Sequence, residues 1–231
     1  MAPREAATPS AKVVRFPDRK KNREQHRITR IVPEHDGLCI LYSHHALSRE
    51  KLFAGKILCW GIQENGEVVA LLPWLSSVTR CTDLKDPASG RWEGYYNPAT
   101  GAIFETAPAP KIAELEAAHR YYHQSDSQKG ANATPVQEIA DNIGSHAACI
   151  IGQHLALHEV QSWQLLGNGE FQAMLADPQK QTSTPILPGD SCLYAAQSQA
   201  GFRYFFQYHI ANQIKAGDPI AVRAVERLLE H

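Results

Sequence analysis

Residues 134–166 read TPVQEIADNIGSHAACIIGQHLALHEVQSWQLL, and whether they form helix or strand decides the fold class. The stretch looks helical. Thr134 precedes Pro135, whose fixed φ suits a first helical position, and Glu138 falls in the opening turns. Ile143, His146 and Ile150 recur at steps of three and four, and Gly167-Asn168-Gly169 closes the run. The reading is one long helix to about residue 166, bent at Gly144. Neighbouring segments read the same way. Ile112, Leu115, His119 and Tyr122 stripe a helix over 111–123, a short helix covers 171–177, and two more cover 202–215 and 219–230. Phe202, Tyr204, Phe205, Phe206 and Tyr208 make the 202–215 segment apolar on nearly every side, which predicts a buried central helix.

Upstream the pattern is that of strands. Leu38 to Tyr42 is a compact apolar run, and Lys56 to Gln63 is rich in β-formers. Asn65-Gly66 separates the latter from Val68-Val69-Ala70-Leu71-Leu72, a strong hairpin signal because a type I′ turn needs positive φ at both central residues. A second hairpin is predicted around Asn97-Pro98-Ala99-Thr100-Gly101. From Trp92 to Phe104 this hairpin resembles the first hairpin of a WW domain. The third strand and second tryptophan of that family are missing, so Trp92, Tyr95 and Tyr96 are read as packing a sheet.

The expected fold class is therefore α+β. A disordered basic arm over 1–30 precedes a small antiparallel β-sheet within a β-rich part, 31–108, and an α-helical part, 109–231, packs with it as one compact domain. The expected core contains Ile57, Trp60, Val69, Leu71, Ile143, Ile150, Leu155, Phe205 and Phe206. No internal repeat is read.

Of 231 residues, 43% are apolar and 20% charged, as in an ordinary globular chain. The net charge of -1 hides an asymmetry: residues 1–30 hold nine Lys or Arg against three acids, +6, and the rest holds 14 against 21, -7. The arm is poor in large apolar groups and is expected to stay disordered at least through Arg23. Arg19, Lys20, Lys21, Arg23, Arg27 and Arg30 form a cationic patch suited to phosphates or an acidic partner. Val14 and Phe16, flanked by charge, resemble a docking peptide. The most apolar run, 139–157, is broken by Asp141, Asn142, His146, Gln153 and His154, so no membrane span is predicted. No signal peptide is read, and the five widely spaced cysteines fit reduced thiols, so a cytoplasmic location is expected.

Motifs for dinucleotide, P-loop and serine-hydrolase chemistry are absent from the sequence, and His158-Glu159-Val160-Gln161-Ser162 begins like a zincin motif but ends in Ser. The eleven histidines carry the strongest chemical signal. On helices, His119 with His123 and His154 with His158 would each point two imidazoles one way, and together they would hold zinc or another transition metal with Glu116 or Glu159 as base. The leading expectation is a non-enzymatic interaction or regulatory protein, with no cofactor, whose arm docks a protein partner or nucleic acid and no membrane. The alternative is a metal-dependent hydrolase.

Overall fold

The computed structural model describes residues 26–44, 52–84, 90–108, 111–115, 117, 134–152, 154–177, 192–219 and 222–223. The first half contributes strands β1 (Ile28–Pro33), β2 (Cys39–His44), β3 (Leu52–Lys56), β4 (Cys59–Gln63), β5 (Val68–Trp74), β6 (Ser77–Arg80), β7 (Gly90–Asn97) and β8 (Ala102–Phe104). The second contributes β9 (Pro135–Ala140), β10 (His146–Ile151), β11 (His154–Leu166), β12 (Phe171–Ala176), β13 (Leu193–Ala195) and β14 (Phe202–Phe206). The strand orders are β1-β4-β5-β6, β3-β2-β7-β8 and β13-β12-β11-β10-β14, with β9 also paired to β11.

The expected helical half is thus a correction: strands β9 to β14 form an antiparallel sheet, and the fold is mainly β rather than α+β. Within 134–166 a hairpin turn at Gly152, φ +65°, and a sharp bend at Gly144, φ +71°, break the chain into three strands. Ala, Leu, Gln, His and Glu give this stretch helical propensity, but cross-strand pairing against β10, β12 and β14 overrides so weak a preference. Residues 171–177 are likewise mostly strand β12, and Phe202–Phe206 is strand β14. Helix begins only afterwards, at Tyr208–Lys215. Residues 111–115 are helical as read, as are 219, 222 and 223.

The two halves repeat one design. Moving each residue of β1 and β2 on by 107 gives the bounds of β9 and β10. Moving those of β4 and β5 on by 103 carries every β4–β5 pair onto a β11–β12 pair, as Trp60 with Ala70 becomes Trp163 with Ala173. Even the irregularities recur: the bulge in β1–β4 after Ile28 has its twin after Pro135, and the bulge between Leu41 and Tyr42 against β7 has its twin between Ala148 and Cys149 against β14. A 3-10 turn follows the last short strand in both, Cys81–Asp83 after β6 and Ala196–Ser198 after β13. The expectation of no internal repeat is overturned by this register.

Polar bonds repeat as well. Trp60 Nε1 donates to Glu34 Oε2, and Trp163 Nε1 donates to Asp141 Oδ1 at 2.8 Å. The backbone N–H of Glu34 reaches Leu58 O as that of Asp141 reaches Gln161 O, and Ile57 N reaches Leu38 O as Val160 N reaches Ser145 O. Each carboxylate also accepts the amide N–H four residues on, Leu38 in one half and Ser145 in the other. Each thus ties a sheet corner to a buried indole through charge-assisted bonds, worth about 1.5–3 kcal/mol apiece.

The halves share one core. Ile31, Trp60, Leu71, Tyr95, Trp163, Leu175 and Phe205 belong to one buried cluster, and the expected core residues Ile57, Val69 and Ile143 join them. Ile150 and Leu155 are only half-buried, and Phe206 packs in a smaller cluster beneath the C-terminal helix. Two glutamines stitch the seam. Gln137 bonds both Ile31 N and Ile31 O, at 2.9 and 2.6 Å, and Gln207 does the same for Lys56, at 3.0 and 3.1 Å. Each side chain serves as the peptide group of a missing neighbour strand and blunts a sheet edge.

Candidate binding pocket of the first half

A cavity of about 400 Å³ opens at the edge of the β1-β4-β5-β6 sheet, beside the root of the arm. The register makes it. Ile28 pairs with Gln63 at the end of β4, which sets His26 next to the Gln63 side chain. Leu71 pairs with Arg80, so the turn after β6 brings Thr82 and Asp83 to the same rim as Glu67.

Gln63 is 5% exposed. Its Oε1 accepts from His26 Nδ1 at 2.8 Å and from Arg80 Nη1 at 3.3 Å, and all three residues line the cavity. Arg80 is held by Asp83, with Nε donating to Oδ2 at 2.6 Å and Nη2 bridging to the same oxygen. Glu67, exposed on the turn, has no ion-pair partner among the described residues. The lining therefore sets the His26 imidazole and the Arg80 guanidinium beside the carboxylates of Asp83 and Glu67.

The second half shows that the fold does not require this lining. The repeat register places Leu166 where the first half has Gln63, Ala195 for Arg80, Gln197 for Thr82 and Ser198 for Asp83. In that half the longer Gln197 reaches across and bonds Ala173 N at 3.0 Å and Phe171 O at 3.2 Å. In the first half the counterpart of the Ala173 amide, that of Ala70, meets Cys81 and Tyr95 instead, and Thr82 lines the pocket beside Val68.

The sequence-predicted residues fall elsewhere. Arg19, Lys20, Lys21, Arg23, Val14 and Phe16 lie outside the described residues, as do His119, His123 and Glu116. Arg27 belongs to the folded body, its guanidinium 3.5 Å from Glu64 and 3.3 Å from Gly167 O, and Arg30 sits in β1 opposite Ile62. His154 and His158 stand on strand β11, not on a helix. Four strand residues span roughly 13 Å, so the two rings are not neighbours and do not form the expected ligand pair. Glu159 is exposed and meets Lys215 at 3.5 Å. Its cross-strand partner His146 is buried, with Nδ1 3.0 Å from Gly144 O and Nε2 2.8 Å from Lys215 Nζ and 3.7 Å from Glu159. Among the described residues no group of three or more His, Cys, Asp or Glu is placed to hold a metal ion.

A second charged cluster lies near the Glu34 corner. Lys111, 3% exposed, sits 3.6 Å from Glu34, 2.9 Å from Asp36 and 3.0 Å from Glu114. Burial pulls its ammonium down, but the hydrogen bonds to Asp36 and Glu114 and the Glu34 charge outweigh burial and hold it above the ordinary lysine value. All five cysteines are free and buried, and burial pushes the thiols of Cys39, Cys59, Cys81 and Cys149 up, away from nucleophilic thiolate chemistry.

His26, Gln63, Glu67, Arg80 and Asp83 carried no sequence signal, because only strand pairing gathers them. The repeat did carry one: Trp60-x4-Asn65-Gly66-Glu67-x2-Ala70-x-Leu72 recurs as Trp163-x4-Asn168-Gly169-Glu170-x2-Ala173-x-Leu175. No described helix is long and apolar enough to cross a membrane. No protein-family model, curated protein or solved structure matches the chain.

Proposed function

We propose that this is a non-enzymatic interaction protein, in which two fused copies of one β unit present a basic N-terminal arm to an acidic protein partner. One observation supports the reading above the others. His26, where the arm meets the body, lines a polar pocket that the second copy of the unit fills with its own glutamine. A cationic arm brings an acidic partner in quickly and with little specificity, and a shaped pocket at its root adds discrimination. With Arg27 and Arg30 in the body, residues 1–25 hold seven Lys or Arg against three acids, +4, and the remainder 16 against 21, -5, which suits that division of labour.

The test compares the full chain with the quadruple variant Arg19→Gln, Lys20→Gln, Lys21→Gln, Arg23→Gln. Each is titrated against a fluorescent acidic peptide carrying two apolar residues and against duplex DNA of equal charge. The reading expects peptide binding that the variant loses at least tenfold, with weaker binding to DNA. Equal binding of both chains to the peptide contradicts it, and preference for the DNA moves the assignment to nucleic acid.

A further inference from the structure

We infer that His146 is a proton-operated catch: its uncharged ring holds the last turn of the Tyr208–Lys215 helix against the second sheet, and a proton on the ring lets that turn go. The catch involves neither the arm nor the first-half pocket and is independent of the proposed function.

Hydrogen-bond chemistry fixes the starting state of the ring. His146 is buried at the start of β10, paired with Glu159 of β11 on one side and Phe206 of β14 on the other. Its Nδ1 lies 3.0 Å from Gly144 O, and a carbonyl only accepts, so Nδ1 carries a hydrogen. Its Nε2 lies 2.8 Å from Lys215 Nζ, and an ammonium only donates, so Nε2 presents a lone pair. That pairing exists only while the ring is uncharged. Glu159 attends both groups, with Oε1 3.7 Å from Nε2 and 3.5 Å from Nζ.

A proton on Nε2 exchanges the partners. The nitrogen turns from acceptor to donor and sets an imidazolium against the ammonium, where buried surroundings on the side of the ring screen less than water does. Glu159 then receives the ring, and the Lys215 side chain, 43% exposed, is pushed toward solvent. The other charged or titratable groups near by, among the described residues, are Tyr208, which closes on Gly144, and Lys56, whose Nζ lies 5.9 Å from the Tyr208 ring. Both sit at the opposite end of the helix, and β14 faces His146 with the apolar Phe206.

The helix has eight residues, too few to hold without anchors. Its first turn is held by Gln207, bonded to Lys56, and by Tyr208, whereas its last turn has Lys215 and the half-buried Ile214. Losing Lys215 therefore frees the last turn and lifts Ile214 from the small apolar cluster that holds Ala148, Phe206, Leu155 and Leu157. A fall in pH through the imidazole range, from about pH 8 to about pH 5, thus uncovers an apolar strip.

The experiment titrates 15N,13C-labelled full-length protein across that range by NMR. The His146 ring nitrogens report charge and tautomer, and the 15N heteronuclear Overhauser effects of Ile214, Lys215 and Ala216 report order. At the alkaline end Nδ1 should carry the hydrogen, and the Lys215 side chain should show an Overhauser contact to His146 Hε1. That contact and the order of the three amides should be lost with the midpoint of the ring. Lys215→Met, at an exposed position, should leave the helix end equally mobile at both ends of the titration. Glu159→Gln, also exposed, should weaken proton binding by the ring about threefold, a midpoint lower by about half a pH unit. The catch is overturned by a ring that stays uncharged throughout, by a hydrogen on Nε2 rather than Nδ1 at the alkaline end, or by a helix end that stays ordered after the ring charges. The native pH response persisting in Lys215→Met also overturns it, and an unchanged midpoint in Glu159→Gln overturns the partner exchange.

Discussion

Replacing Lys111 with Met should destabilise the protein far more than loss of a surface lysine. The Lys111 side chain is 3% exposed and its first partner, Glu34, 1%. Glu34 accepts hydrogen bonds from the Trp60 indole and the Asp36 amide, so its carboxylate is fixed in place and stays when the ammonium is removed. Methionine fills nearly the same volume, which leaves the loss of a buried countercharge as the main effect. Breaking such a pair costs about 3–5 kcal/mol. Asp36 and Glu114 are partly solvated, with side chains 64% and 50% exposed, so the low end applies, about 3 kcal/mol. For a chain of this size that lowers Tm by roughly 6–12 °C. Scanning calorimetry of the parent, Lys111→Met and Lys111→Met/Glu34→Gln measures it, and the double variant should recover at least half of the loss by removing the stranded charge. A Lys111→Met protein melting within 2 °C of the parent would refute the reasoning.

Alkaline pH should unfold the protein in two stages. The buried thiols have folded pKa values raised above their unfolded value of about 8.5, so their contribution is complete below that pH and is lost as pH rises. Lys111, also raised, adds a loss above about pH 10.4 that Lys111→Met should lack, and a Tm constant from pH 8 to 11 would contradict both. With Ellman's reagent at pH 8 the native protein should react at least a hundredfold more slowly than the urea-unfolded chain, which should release five equivalents; rapid native reaction of even one thiol contradicts its burial. Gln207→Ala should cost about 1–3 kcal/mol, because it strands both backbone groups of Lys56, and a urea midpoint unchanged from the parent would show the seam is not bonded there.

The first half was legible because its turns announce themselves. Asn65-Gly66 marks the β4–β5 hairpin, though only Gly66, at φ +83°, is left-handed, so the turn is not the type I′ expected; Gly101, at φ +73°, closes the β7–β8 hairpin. The second half hid behind residues that suit a helix in isolation. His146, Ala147, Ala148 and Cys149 are all buried, so β10 shows no alternation to mark it as a strand. Residues 202–215 read as one helix apolar on nearly every side, whereas Phe205 lies on a strand and packs edge-on against Trp163, as the equivalent Tyr95 packs at a tilt on Trp60. The pocket was illegible for a different reason. Gln63 and Arg80 are 17 residues apart, and Gln63 and His26 are 37 apart, so only the β1–β4–β5–β6 register puts them in contact.

The central claim, one β unit present twice in a single chain, is tested most directly by nuclear Overhauser contacts in the isotope-labelled full-length protein. The account predicts cross-strand contacts joining Ala147 to His158 and Trp163 to Ala173, matching those joining Ile40 to Gly55 and Trp60 to Ala70. A run of contacts between residues three apart through 146–159, as in a helix, would contradict it.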